Sequence, residues 1–289
     1  MASKLFARAF VLNVGIPNNP SQSIKVDFTE KNAHGLDVGG LDVEFQVEKT
    51  LKPEPNTCDV RIYNLSKTNQ QQMGAAQKLT VRLEAGYQGA TSQLYFGEVR
   101  QAWTTREGPD WITHLESGDS EKAQATARIN HTFGPKVPTS TALQQIVQAL
   151  GLGQGNLSVA LGALASKGVV SINGAALTGN AARRMTDFCR SAQLEWSVQD
   201  GAVQILDLGK VKNQTATLVD ADHGMIESPS VDSAGIVSAS MLINPGIFPG
   251  ALVKFDSLFV KGGYRVQRCK WTGQTWGTEW KVDFQAKKY

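Results

Sequence analysis

What this chain lacks narrows the field before anything it contains. Cysteine is scarce: Cys58, Cys189 and Cys269 are odd in number, far apart, and each falls at an apolar-face position of its segment. That pattern fits buried free thiols in a reducing compartment and not a disulfide framework. No run of about 18 apolar residues occurs, which excludes a membrane-spanning helix. Residues 1–14 hold no apolar stretch long enough for a secretory signal, so synthesis and folding in cytoplasm, with no membrane insertion, is the expectation. Charge of one sign is also missing: 29 Lys+Arg against 26 Asp+Glu leave a net charge of +3. The whole molecule is therefore not a polyanion binder by charge alone.

Catalytic and metal-binding patterns are thin. His34, His114, His131 and His223 show no paired ligand spacing, and neither Cys-x-x-Cys nor His-Glu-x-x-His occurs. Asp220, Asp222 and His223 form the one dense acid and histidine cluster, which an interdomain turn explains at least as well as a metal site. Gly151, Gly153 and Gly155 follow a helix instead of opening one, so they do not make a phosphate loop. No Gly-x-Ser-x-Gly elbow exists. Glu44, Glu48 and Asp59 sit on wet strand faces and give no glycosidase carboxylate pair. These readings predict no cofactor, no metal and no enzyme.

What the chain does have is alternation. From Trp276, the residues Trp276, Thr278, Trp280, Val282, Phe284 and Ala286 alternate with Gly277, Glu279, Lys281, Asp283 and Gln285, one dry face and one wet. In the preceding segment the phase slips by one residue near Gln267–Arg268, as a β-bulge would produce. Strands at 236–243 and 251–255, with a Pro-Gly corner between them, complete a small antiparallel barrel or sandwich. Residues 1–117 repeat the theme with seven strands: 6–14, 24–28, 43–47, 58–62, 79–83, 94–104 and 110–116. A polar helix over 66–78, capped by Ser66, interrupts them.

Between these two β regions the texture changes. An amphipathic helix over 139–150 has Leu143, Ile146, Val147 and Leu150 on one face, Thr141 and Gln144 at capping-box spacing, and Gly151 as its stop. Residues 151–176 are Gly/Ala-rich, with a candidate strand at 167–172. A second helix, capped by Thr178 or Asn180, carries Ala181, Met185, Phe188, Cys189 and Ala192 on one face. It leads into a hairpin whose Asp200–Gly201 pair makes a type I′ turn. The chain is thus mainly β with an inserted α/β module: 1–117, 118–212 and 213–289.

Residues 251–289 carry eight Lys/Arg and three acids, which are solvated strand faces or a contact for an acidic partner. Trp271 and Trp276 flank Thr272–Gly273–Gln274–Thr275 and could meet a partner from a hairpin loop. A β-barrel nucleic-acid-binding protein, stacking bases on these aromatics beside the basic C-terminal residues, is the alternative function.

Three stretches resemble a known family. Thr57–Ser66, reading Thr-Cys-Asp-Val-Arg-Ile-Tyr-Asn-Leu-Ser, is similar to a signature in the first domain of baseplate hub proteins of long-tailed bacteriophages. Arg183–Leu206 resembles the helix and Trp-bearing hairpin of their central domain. Met241–Phe255, with Tyr264–Val266 and Trp276–Trp280, resembles their C-terminal barrel. The resemblance implies two tail-tube-like antiparallel β-barrels flanking a small α+β domain, and a homotrimeric ring of pseudo-sixfold symmetry. That ring joins the hexameric tail tube, or a distal tail protein, to a central spike protein. The central module would sit on the periphery and hold wedge or collar proteins, and DNA would be only passing cargo in the lumen. The expected location is the virion, after assembly in the host bacterial cytoplasm. Under this reading Trp271, Trp276, Arg265 and Arg268 become candidate subunit or spike contacts.

Overall fold

The computed structural model describes residues 7–16, 23–29, 40–75, 78–166 and 172–289. The chain divides into two compact units, one made of 1–49, 56–118 and 211–289, the other of 50–55 and 119–210.

The first unit is one sheet, antiparallel except for a short parallel pair near its C-terminal end. Its N-terminal strands are β1 (Arg8–Gly15), β2 (Ile24–Thr29), β3 (Val43–Thr50), β4 (Thr57–Tyr63), β5 (Thr80–Tyr87), β6 (Ala90–Glu107) and β7 (Asp110–Gly118). Helix α1 (Lys67–Ala75) lies between β4 and β5, and Ser66 Oγ accepts from Asn69 N at 3.3 Å, as a cap should. Each strand alternates because one face is dry: Val43, Phe45 and Val47 of β3 are at most 3 % exposed while the residues between them are half-exposed.

The structure differs from two closed barrels. The C-terminal strands are β12 (Thr217–Val219), β13 (Ser230–Val231), β14 (Ile236–Leu242), β15 (Leu252–Asp256), β16 (Lys261–Gln274) and β17 (Trp280–Lys288). They join the N-terminal set edge to edge, giving the order β13-β14-β17-β16-β3-β4-β7-β6-β5-β1-β2, with β12 and β15 branching from β16. Among the described residues neither half closes on itself. The reason lies in β16, whose fourteen residues are too many for one neighbour on that side. Its first five pair with β15, from Lys261↔Asp256 to Arg265↔Leu252. A register shift at Val266/Arg268 then re-aims the strand, and its second half runs beside β3. The bulge read from the sequence is thus the point where the strand changes partners.

One core follows from one sheet. Phe10 and Phe45 lie 6.4 Å apart, and Phe45 meets Trp280 edge-on at 5.6 Å, so N- and C-terminal aromatics share a single apolar cluster. The last strand begins at Trp280, not Trp276. Trp280, Val282, Phe284 and Ala286 are all buried, whereas Trp276 and Thr278 belong to the preceding turn and are exposed.

The second unit holds α2 (Glu121–Thr126), β8 (Arg128–Val137), α3 (Thr139–Leu150), α4 (Leu157–Ser166), β9 (Ile172–Asn180), α5 (Ala181–Ser191), β10 (Leu194–Gln199) and β11 (Ala202–Asp207). Its core joins Leu143, Ile146 and Val147 of α3, Met185 and Cys189 of α5, and Trp196, Val198, Val203 and Ile205 of the hairpin. Asp200 and Gly201 both have positive φ, 57° and 74°, as a type I′ turn requires. Asn180 caps α5, its side chain accepting from Arg183 N at 2.9 Å. The capping box expected of α3 does not form: the helix starts at Thr139 after Pro138, which leaves Thr141 inside the first turn with no bare N–H to cap. Helix α4 and strand β8 carried no clear sequence signal. Of the candidate strand at 167–172, residues 167–171 lie outside the described residues.

Candidate functional site

The four candidate contact residues fall into two pairs. Trp276 (47 % exposed) and Arg268 stand on the surface. Trp271 (2 % exposed) and Arg265 (4 % exposed) do not. Trp271 sits on β16 among inward-facing residues because its register partner Val282 is on the dry face of β17. A buried Trp271 presents no ring to a base or to a partner protein, so the Trp271–Trp276 pair makes no stacking platform. Arg268 pairs with Glu48 across β16 and β3, and Lys270 reaches the same carboxylate at 3.8 Å.

The β16–β17 turn is gripped by the N-terminal strands. Gln274 Nε2 donates to Glu44 Oε1 at 3.0 Å, and Arg8 Nη1 donates to the Gly277 carbonyl at 2.8 Å. The Trp276 ring meets Phe28 edge-on at 6.2 Å. An exposed tryptophan is thereby held in one place, which lowers the entropy lost when a partner binds it.

Beside this turn the outer face of the sheet is hollowed into a groove of about 540 Å³ across β7, β4, β3 and β16. Glu44, Asp59, Glu116 and Glu279 line it, with Arg61 as its one Lys or Arg. Asp59 and Glu116 are cross-strand partners. Burial raises the Asp59 carboxyl above its ordinary value, and the Glu116 charge pushes the same way. The rings of Trp103 and His114 stack at 4.8 Å with an interplanar angle of 4° on the groove wall. Sequence reasoning saw these acids singly; the register that gathers them is a tertiary property.

The remaining candidates are structural. Asp220 Oδ1 accepts from His223 N at 2.9 Å and lies 2.6 Å from its Nδ1, closing a one-turn helix at 221–223. Its carboxyl, although desolvation acts to raise it, ends below the ordinary value because His223 bonds to it. No group of three or more metal-ligating side chains occurs among the described residues. Gly155 lies against β11, where a Cβ would come within 2.0 Å of the Val203 carbonyl oxygen, so that glycine serves close packing. All three cysteines are buried free thiols; burial raises Cys58 and Cys269 strongly and pushes Cys189 up to about 12.

An open, mainly antiparallel sheet with an inserted α/β unit is a fold found in phage tail proteins. The 43 kDa tail protein of prophage MuSo2 from Shewanella oneidensis superposes with a TM-score of 0.63 at 8 % identity over 97 % of both chains. A tail protein from Neisseria meningitidis MC58 gives 0.61 at 7 % identity over 96 % of both. The c3393 protein of E. coli, a type VI secretion system component similar to T4 tail proteins gp27 and gp5, gives 0.55 at 7 % identity, covering 89 % of this chain and 76 % of that one. No curated protein matches the chain by sequence. The model of the baseplate hub gp41 family matches residues 23–271, and the chain belongs to that family. It is a structural protein of the bacteriophage tail baseplate, and so a component of the virion.

Proposed function

We propose that this chain is the baseplate hub itself, a homotrimeric ring of pseudo-sixfold symmetry between a hexameric tail tube and a trimeric spike, without catalytic turnover. The observation that carries the reading is the family match across 23–271. The N- and C-terminal halves of the one sheet act as two tube-like repeats per subunit, so three chains offer six similar edges. Residues 1–117, 118–212 and 213–289 are its working parts, and the central part binds wedge or collar proteins. A distal tail or tube protein and a central spike protein are its axial partners, with DNA as passing cargo. Trp276 and Arg268 are the surface residues assigned to subunit or spike contact. The hub assembles in the host cytoplasm.

Light scattering and low-resolution imaging of the purified protein, alone and with its spike, test this. A threefold ring with a central hole is expected; a strictly monomeric species that binds neither tube nor spike components would sink the reading.

A further inference from the structure

The outer face of the sheet carries opposite charge at the two ends of β16. At its start, β15 and β16 meet in a tight turn: Ser257 N donates to the Val260 carbonyl at 3.1 Å, and Ser257 Oγ donates to that oxygen at 3.0 Å and accepts from Val260 N at 3.1 Å. The turn projects Leu258 and Phe259, 84 % and 78 % exposed, the two most exposed large apolar side chains among the described residues. Lys254 and Lys261 flank it on the hairpin, and Lys287, on the outward phase of β17, pairs in register with Arg265 of β16. Asp256, paired with Lys261 at 3.8 Å, is the only acid of these segments.

At the far end of β16 lies the acid-walled groove with its Trp103–His114 stack. Arg61 sits 3.7 Å from Glu44 and Lys281 sits 3.3 Å from Glu279; Asp59 and Glu116 face each other in register, and the Glu116 charge acts on Asp59 more strongly than that of either Arg100 or Arg61. Like charges placed opposite each other across a ladder are unfavourable, and an incoming cation relieves them. The tip and the groove are thus complementary in charge, and each has apolar or aromatic surface to offer the other. A strand of this length holds them roughly 40 Å apart, so a chain cannot bring its own tip into its own groove.

We propose that the Leu258–Phe259 tip of one copy seats in the Asp59–Glu116 groove of a second copy, Phe259 against the Trp103–His114 stack and Lys254 and Lys287 toward the carboxylates. The contact is heterologous, head to tail, and closes into a ring when the rotation between copies permits. It rests on the ring reading above and names the surfaces by which its copies meet.

Mass photometry of the full chain over a range of concentration and salt tests it, with four proteins: wild type, L258S/F259S, K254E/K287E, and K254E/K287E combined with D59K/E116K. Wild type is expected to assemble and to weaken with salt. The tip variant and the lysine variant are expected to lose at least tenfold in association at unchanged thermal midpoint, and the combined charge swap to recover it. Wild-type assembly that the tip variant shares in full overturns this contact and leaves the ring reading standing. Wild type that stays monomeric at every concentration overturns both. Tip-dependent flotation with vesicles of anionic phospholipid, with assembly unaffected, assigns Leu258 and Phe259 to a lipid surface and likewise overturns the contact.

Discussion

Thr275 and Val43 close a three-bond clasp across 232 residues of sequence: Thr275 N and Thr275 Oγ1 donate to the Val43 carbonyl at 3.0 Å each, and Thr275 Oγ1 accepts from Val43 N, also at 3.0 Å. The clasp is buried, and it seals the end of the β3–β16 seam. Thr275→Val keeps the shape but leaves Val43 N–H without its acceptor, at a cost of about 1–3 kcal/mol. Urea denaturation is expected to show a lower midpoint at unchanged slope, with Thr275→Ser restoring most of it.

Gly273 lies on β16 against the Phe45 ring, where a Cβ would come within 2.2 Å of Cζ. Gly273→Ala therefore overpacks the seam and is expected to destabilise by about 1–3 kcal/mol. The double variant with Phe45→Leu should recover part of that loss in the same denaturation experiment. Additive losses would show that the ring is not what the methyl meets.

Trp280 and Lys281 are neighbours on opposite faces of β17. Trp280→Asp puts a carboxylate among Phe45, Phe284 and Val282 and is expected to cost more than about 4 kcal/mol, abolishing the cooperative thermal transition. Lys281→Asp removes pairs with Glu279 and Asp283, at 3.3 Å and 3.8 Å, and should cost at most about 1 kcal/mol. Equal melting of the two variants would mean that the faces are reversed.

Asp59 titrates higher in the folded chain than its ordinary 3.8. The folded state holds that proton more tightly, so stability falls as pH rises through the window just above 3.8, and the penalty is fully present at neutral pH. Asp59→Asn is expected to be slightly stabilising at pH 7, by roughly 0.5 kcal/mol, and neutral below about pH 3.5. Melting curves across pH 3–8 check both the sign and the window.

Cys58 and Cys269 lie in the sheet unit and Cys189 in the helical unit, all buried. None should react with a thiol reagent in the native protein. In graded denaturant, mass-resolved labelling is expected to give Cys58 and Cys269 one common midpoint, because one core holds both. Separate midpoints for those two would mean the sheet's halves unfold independently.

Local patterns made much of this legible. The alternation in 43–47, 58–62 and 280–286, the Asp200–Gly201 turn, the Ser66 cap, the α5 cap at the second of its two candidates and the bulge at Val266/Arg268 all appear where residue chemistry puts them, since each is decided within a few residues. The β3–β16 seam was not legible. Nothing in Val43 or Gly273 alone announces a partner more than two hundred residues away, and the same period-two signal serves one continuous sheet or two separate ones. Trp271 misled for a related reason: beside a Thr-Gly-Gln-Thr turn signal it reads as a loop residue, but β16 runs on to Gln274 and carries it inside. Helix α4 escaped notice because Leu-Ser-Val-Ala-Leu-Gly-Ala-Leu-Ala-Ser is apolar nearly all round and shows no stripe.

The seam between β3 and β16 also sets a timetable. When β3 leaves the ribosome, the strand that will cover its flank is still more than two hundred residues from being made, roughly 10–40 s away at ordinary elongation rates. Through that interval Val43, Phe45 and Val47 belong to a sheet with a bare rim, and the second unit is completed before the rim is covered. Nascent chains on neighbouring ribosomes of one message would carry the same rim at the same moment. A holding chaperone, or a slowed message after the codons for 118, is therefore expected to matter more for the yield of this protein than for chains whose strands pair in order.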